Sequence, residues 1–184
     1  EHKNPLFYGK VLLFGEYGII KDSMGLSIPH TYYKGAFQFN NAPNAEQAKS
    51  NEHLIAYLTY LKSPEAPCRF DFSAFEKDLS NGLYFDSSIP QGFGVGSSGA
   101  LVAAIYDRYC LDKIPASPEQ PSDIKALKQL FSWMESYFHG KSSGIDPTIC
   151  YLRLPLLIES KDELGTVNLP VNAGKGAVFL LNSG

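Results

Sequence analysis

The apolar positions of the chain follow two different periods. VLLF at 11–14 is a short continuous apolar run, the pattern of a buried strand. YYKGAFQFN at 32–40 partly alternates, with Tyr33, Phe37 and Phe39 spaced for one face, and predicts a strand with one glycine irregularity at Gly35. From about Glu46 to Leu61 the spacing becomes helical, and Leu54, Tyr57, Leu58 and Leu61 share one face before Pro64 and Pro67 end the element. RFDFSAF at 69–75 alternates again, with Phe70 and Phe72 on one side. Asn81-Gly82 is then a turn signal, and LYFDSS is the expected partner strand. Residues 97–110 predict a helix with Leu101, Ile105 and Tyr109 along one face. Pro115, Pro118 and Pro121 mark a linker, and a second helix is expected from near Ser122. Its apolar face holds Ile124, Leu127, Leu130, Phe131, Met134 and Phe138. Residues 139–147 read as a polar, glycine-rich connection, and 148–170, interrupted by Pro155 and Pro170, has no clear period. The closing AVFLLNSG reads as a strand that has just begun, which predicts that the natural protein continues.

Composition changes this picture little. At 184 residues, 44% hydrophobic and 19% charged, the chain is long enough for a sizeable core and too apolar to be disordered. The formal net charge is -3 and no tail or stripe is strongly basic, which argues against a dedicated nucleic-acid binder. No apolar run approaches the ~18 residues of a membrane helix. The opening EHKNPLFYGK lacks the apolar segment of a signal peptide. Cys68, Cys110 and Cys150 are widely spaced and odd in number, so neither a disulfide scaffold nor a cysteine zinc site is suggested. A reducing, cytoplasmic location is the expectation.

The most informative string is PQGFGVGSSGALVAAI at 90–105. Gly92, Gly94, Gly96 and Gly99 permit tight backbone paths, Ser97 and Ser98 add hydroxyls, and an apolar helix follows. Such a loop brings several N–H groups and the positive end of a helix dipole to one point, a phosphate or anion cradle. The same string also fits a glycine-rich helix start that lets two elements pack closely, and local sequence leaves both readings open. Walker A is absent. Gly94, Gly96 and Gly99 match G-x-G-x-x-G, but they follow no early βαβ unit, and Asp107 and Asp112 come too soon to be the acidic partner of a dinucleotide site.

Four carboxylate and amine positions stand out. Lys10 precedes the first strand and Glu16 follows it, in a context where both also fit ordinary strand ends. Glu135 lies in the last turns of the second long helix, beside its apolar face, and fits either surface or a magnesium ligand acting with a serine hydroxyl. Asp146, in HGKSSGIDPT at 139–148, fits either a helix N-cap or a group that takes a proton from a hydroxyl. A phosphate cradle, hydroxyls, two carboxylates and a lysine are the parts phosphoryl transfer needs.

YGKVLLFGEYGII at 8–20, PQGFGVGSSGALVAAI at 90–105 and HGKSSGIDPT at 139–148 together resemble, in order and spacing, the N-terminal half of the GHMP kinase superfamily. The third segment is most similar to its mevalonate kinase form. Tyr17 resembles phosphomevalonate kinases, and Pro147 stands where an Asn is usual. The resemblance implies a mixed α/β (α+β) fold, the ribosomal protein S5 domain 2-like N-terminal domain, with a two-layer arrangement of sheet and helices. It places that ATP-binding domain at 1–174 and the first strand of a mostly missing C-terminal domain at 175–184. It implies that Asp146 and Lys10 are catalytic, that Gly92, Gly94, Gly96, Ser97, Ser98 and Gly99 hold ATP, and that Ser98 and Glu135 meet Mg2+. Glu16, Ser143 and Gly144 are the implied substrate contacts. The implied reaction is ATP-dependent phosphorylation of a small alcohol, first of all mevalonate. The alternatives are phosphomevalonate or another GHMP kinase acceptor, a non-catalytic nucleotide-binding relative, or, least favoured, a dinucleotide oxidoreductase. A homodimer is left open, and neither nucleic acid nor membrane is an expected partner.

Overall fold

A computed structural model describes residues 4–15, 24–118, 120–160 and 163–167. Two strands at the start of the chain, β1 (Phe7–Phe14) and β2 (Gly25–Phe39), pair antiparallel. β2 is long enough to carry three partners: β1 on one side, and on the other β3 (Leu83–Ser87) at one end and β4 (Leu156–Ile158) at the other. β5 (Leu164–Thr166) continues outward from β4, giving a five-stranded, wholly antiparallel sheet. The expected irregularity at Gly35 lies elsewhere: the β1–β2 register shifts between Tyr8 and Gly9. Gly35 keeps its place in the ladder, and a Cβ there would come within 2.4 Å of the Phe85 ring.

Among the described residues, five helices complete the second layer. α1 (Ala45–Leu61) starts at a capping box, with Asn44 accepting from the Gln47 N–H and the Gln47 side chain accepting from the Asn44 N–H. It buries Leu54, Tyr57, Leu58 and Leu61, the face expected from their spacing. α3 (Ser97–Tyr109) is buried on almost every side by Ala100, Val102, Ala103, Ala104, Ile105 and Tyr106, as befits a helix passing through the middle of a core. Leu101, expected on its apolar face, is only half-buried and looks into a cleft. α4 (Pro121–His139) begins with Pro121 in its first turn and buries Ile124, Leu127, Phe131 and Met134. Both α3 and α5 (Ile145–Leu152) lie against β1 and β2, α4 packs on α3 and α5, and α1 covers β3.

One expected strand is absent. Residues 69–75 do not alternate through a strand; Phe70 makes a single bridge to Cys110, and α2 runs from Phe72 to Ser80. Asp71 decides this by capping the helix, its carboxylate accepting from the Ala74 N–H at 2.9 Å. Phe75 and Leu79 then bury at helical spacing. Asn81-Gly82 therefore closes a helix rather than a hairpin, and β3 pairs with β2 instead. The stretch 148–170 contains most of α5, then β4 and β5. Among the described residues no helix is long and apolar enough to cross a membrane. The strand expected at 175–184 lies outside the described residues, as does Glu16.

Candidate active site

The glycine loop crosses the middle of β1 and is tied to it by the Lys10 N–H, which donates to Val95 O at 2.9 Å. Gly92, Gly94 and Gly96 all have positive φ, and a Cβ on Gly92 or Gly94 would meet nothing within 4 Å, so this backbone faces open space. Gly96 is the N-cap of α3 in the left-handed region and supplies no side-chain acceptor. The first-turn N–H groups of α3 are thus left to whatever occupies the cleft. α5 begins in the same way at Gly144, also left-handed and also without a side-chain cap. Asp146 is therefore not the cap; it sits in the first turn of α5.

Gly99 brings these two helix ends together. A Cβ there would lie 2.9 Å from both Asp146 C and Pro147 N. Residue 99 is buried against α5 rather than exposed to the cleft. The glycines of the string divide by surroundings: Gly92 and Gly94 face open space, Gly96 lies over the Lys10 stem, and Gly99 permits close packing. Gly144 is wedged against α4, where a Cβ would meet Lys128 O at 2.0 Å. Ser143 is exposed beside it and, like Gly144, is not part of the cleft wall.

Lys10 and Asp146 meet at the base of the loop. Lys10 is only 8% exposed, and its Nζ lies 3.0 Å from Asp146 Oδ1. Its stem runs beneath Gly96, where a Cβ would come within 3.0 Å of Lys10 Cγ. A buried ammonium needs such a partner, and the Asp146 carboxylate remains open enough to reach the cleft.

A second group lies behind Ser98. The Ser98 hydroxyl donates to Glu135 Oε1 at 2.9 Å, and the Ser142 hydroxyl donates to Glu135 Oε2. His139 Nε2 is 3.1 Å from the same Ser98 oxygen. Ser98 has one proton and gives it to Glu135, so His139 Nε2 must be the donor there. Glu135 is 4% exposed, not a surface residue. Burial pushes its carboxyl above the usual range, and the Asp146 charge pushes the same way against the hydroxyls of Ser142 and Ser98.

The resulting cleft has a volume of about 1030 Å³, at the upper end of small-molecule sites. It is lined by the glycine loop, Ser97, Ser98 and Asp146, by Lys49 and His53 of α1, and by Tyr137 and Phe138. Sequence reasoning missed His139 and Ser142 although both lie within or beside HGKSSG. It had no signal for Lys49 and His53, which become a wall only when α1 is packed. Among the described residues no group of three or more His, Cys, Asp or Glu could hold a metal alone. Ser98 and Glu135 offer two hard oxygen donors side by side. That set fits Mg2+, which commonly takes one or two protein oxygens and completes its shell with water and phosphate.

Residues 69–153 match the family described as GHMP kinases N terminal domain. This span holds the glycine loop, Ser98, Glu135 and Asp146. The match covers somewhat less than half of the chain, and over that stretch the chain is similar to this family. Its mixed α/β architecture is that of a GHMP kinase N-terminal domain, as the three motifs implied. Among solved structures it is similar to L. major mevalonate kinase in complex with R-mevalonate, at 16% identity and a TM-score of 0.51, over 90% of this chain and 52% of that one. It is also similar to the Methanococcus jannaschii mevalonate kinase, at 15% identity and a TM-score of 0.53, over 91% of this chain and 56% of that one. The chain thus spans about half the length of these GHMP kinases. No curated protein matches by sequence.

Proposed function

We propose that this chain is the nucleotide-binding part of an enzyme that transfers the γ-phosphoryl group of ATP to the hydroxyl of a small alcohol, with mevalonate as acceptor and 5-phosphomevalonate as product. The observation that carries this reading is the Lys10–Asp146 pair, 3.0 Å apart, at the base of an open glycine loop. In this reading residues 1–174 form the N-terminal domain and 175–184 open the C-terminal one. The protein works in the cytoplasm.

The chemistry follows from the residues. Gly92, Gly94, Gly96 and Ser97 hold the phosphates with backbone N–H groups and the positive end of α3. Asp146 accepts the proton of the acceptor hydroxyl as its oxygen bonds to the γ-phosphorus, the bond to the bridging oxygen breaks and ADP leaves. Lys10 holds the Asp146 carboxylate in place and opposes charge on the transferring group. Ser98 and Glu135 would hold Mg2+, which when bound neutralises phosphate charge. Gly99 and Gly144 act by packing, and Ser143 and Glu16 are the proposed acceptor contacts.

The test is ADP release by the protein carrying this chain, with ATP, Mg2+ and a panel of mevalonate, phosphomevalonate, homoserine, galactose and no acceptor. Release that depends on mevalonate is the expected result. Release with another member of the panel keeps the mechanism and replaces the acceptor. Tight ATP binding with no release points to a non-catalytic relative, the reading that retention of both Lys10 and Asp146 disfavours.

A further inference from the structure

Away from the cleft, two thiols sit where the chain crosses itself. Phe70 and Cys110 form an isolated antiparallel bridge. The bonds flanking it run from the Asp71 N–H to Tyr109 O at 2.8 Å and from the Leu111 N–H to Arg69 O at 2.9 Å. This makes Phe70 and Cys110 a non-hydrogen-bonded pair, the kind whose side chains lie closest. Arg69 extends the ladder by gripping both carboxylate oxygens of Asp112, at 2.8 and 3.0 Å. Cys68 precedes Phe70 by two residues, in the bend that leads into the bridge. Neither thiol is in a disulfide, and the two lie close enough to shift each other's proton affinity. Cys68 is half-buried and Cys110 is 5% exposed. The third thiol, Cys150, is buried beneath the glycine loop, against Gly96 O.

We propose that Cys68 and Cys110 are a reversible redox modification site, closing to a disulfide that ties the α1–α2 connection to the end of α3. With a peroxide as oxidant, one thiol becomes a sulfenic acid as the O–O bond breaks and water leaves. The neighbouring sulfur then attacks it, the S–S bond forms and a second water departs. Two thiols lose two electrons and two protons, and the peroxide gains both. The contact between the thiols holds Cys68 above and Cys110 below the usual thiol range, burial opposing the second effect. Cys110 is thereby the better nucleophile for closing the bond. The closed ring would span 68–110, and so would enclose the whole glycine loop.

The experiment is peroxide treatment of the folded chain, alkylation of remaining thiols, and digestion without reductant. The expected result is one cross-linked peptide pair joining Cys68 to Cys110, lost on dithiothreitol, with Cys150 alkylated only after unfolding. Oxidised wild type should melt above its reduced form, and Cys68→Ser should melt at one temperature with or without peroxide. Linkage through Cys150, linkage between two chains, a Cys68 sulfinic acid with Cys110 still free, or no linkage at all would overturn the proposal.

Discussion

Glu135 is a carboxylate placed where ionisation is costly, and that placement has a measurable consequence. Burial raises its folded pKa above the unfolded value. The stability it contributes therefore belongs to the protonated form. It is present below the ordinary glutamate range and is lost as pH rises through the raised value. Glu135→Gln keeps acceptor and donor for Ser98 and Ser142 and removes the penalty. Thermal melts without metal should show the variant more stable than wild type at pH 8, with the difference vanishing near pH 4. The same variant should lose Mg2+-dependent ATP binding, which calorimetry reads directly. The glycines separate by role in the same manner. Gly99→Ala forces a methyl onto the backbone of Asp146 and Pro147, and should cost about 1–3 kcal/mol in denaturant melts. Gly94→Ala enters open space and pays only for its left-handed backbone, about 1 kcal/mol.

At the scale of elements, whether a pattern could be read depended on how far it ran. α1 was legible because four apolar residues repeat at helical spacing over two turns and nothing competes with them. The stretch from Phe70 to Phe72 alternates for too few positions, and Asp71 between them is a cap whose effect outweighs the alternation. Asp71→Ala should cost about 1 kcal/mol of stability, measured by chemical denaturation, and should loosen α2 first in hydrogen exchange. The motif segments were legible because each is local: the glycine loop starts α3, and HGKSSGID leads into α5. What could not be read was their junction. Glu135 sits at the edge of an apolar stripe, and only the approach of Ser98, 37 residues away, and Ser142 shows that it is buried and partnered. The wall made by Lys49 and His53 is likewise a property of packing, not of any string.

At the scale of the molecule, the sheet and the crossing of α3 and α5 do one thing for the site. They bring the starts of α3 and α5, a buried lysine and two carboxylates to one side of a cleft, and so set backbone N–H donors beside the ion pair where phosphates would lie. The stretch similar to the GHMP kinases N terminal domain, 69–153, contains Ser98, Glu135 and Asp146, while the chain spans about half of the mevalonate kinases whose fold it shares. The central claim is that Asp146, held by Lys10, handles the acceptor proton while the glycine loop holds the nucleotide. The most direct test is phosphoryl transfer from ATP to mevalonate by the protein carrying this chain, wild type against Asp146→Asn, with ATP affinity measured on the same samples. The account predicts a rate lower by about 100- to 10,000-fold with ATP affinity unchanged. Transfer at the wild-type rate, or a loss of ATP binding that accounts for the whole effect, would contradict it.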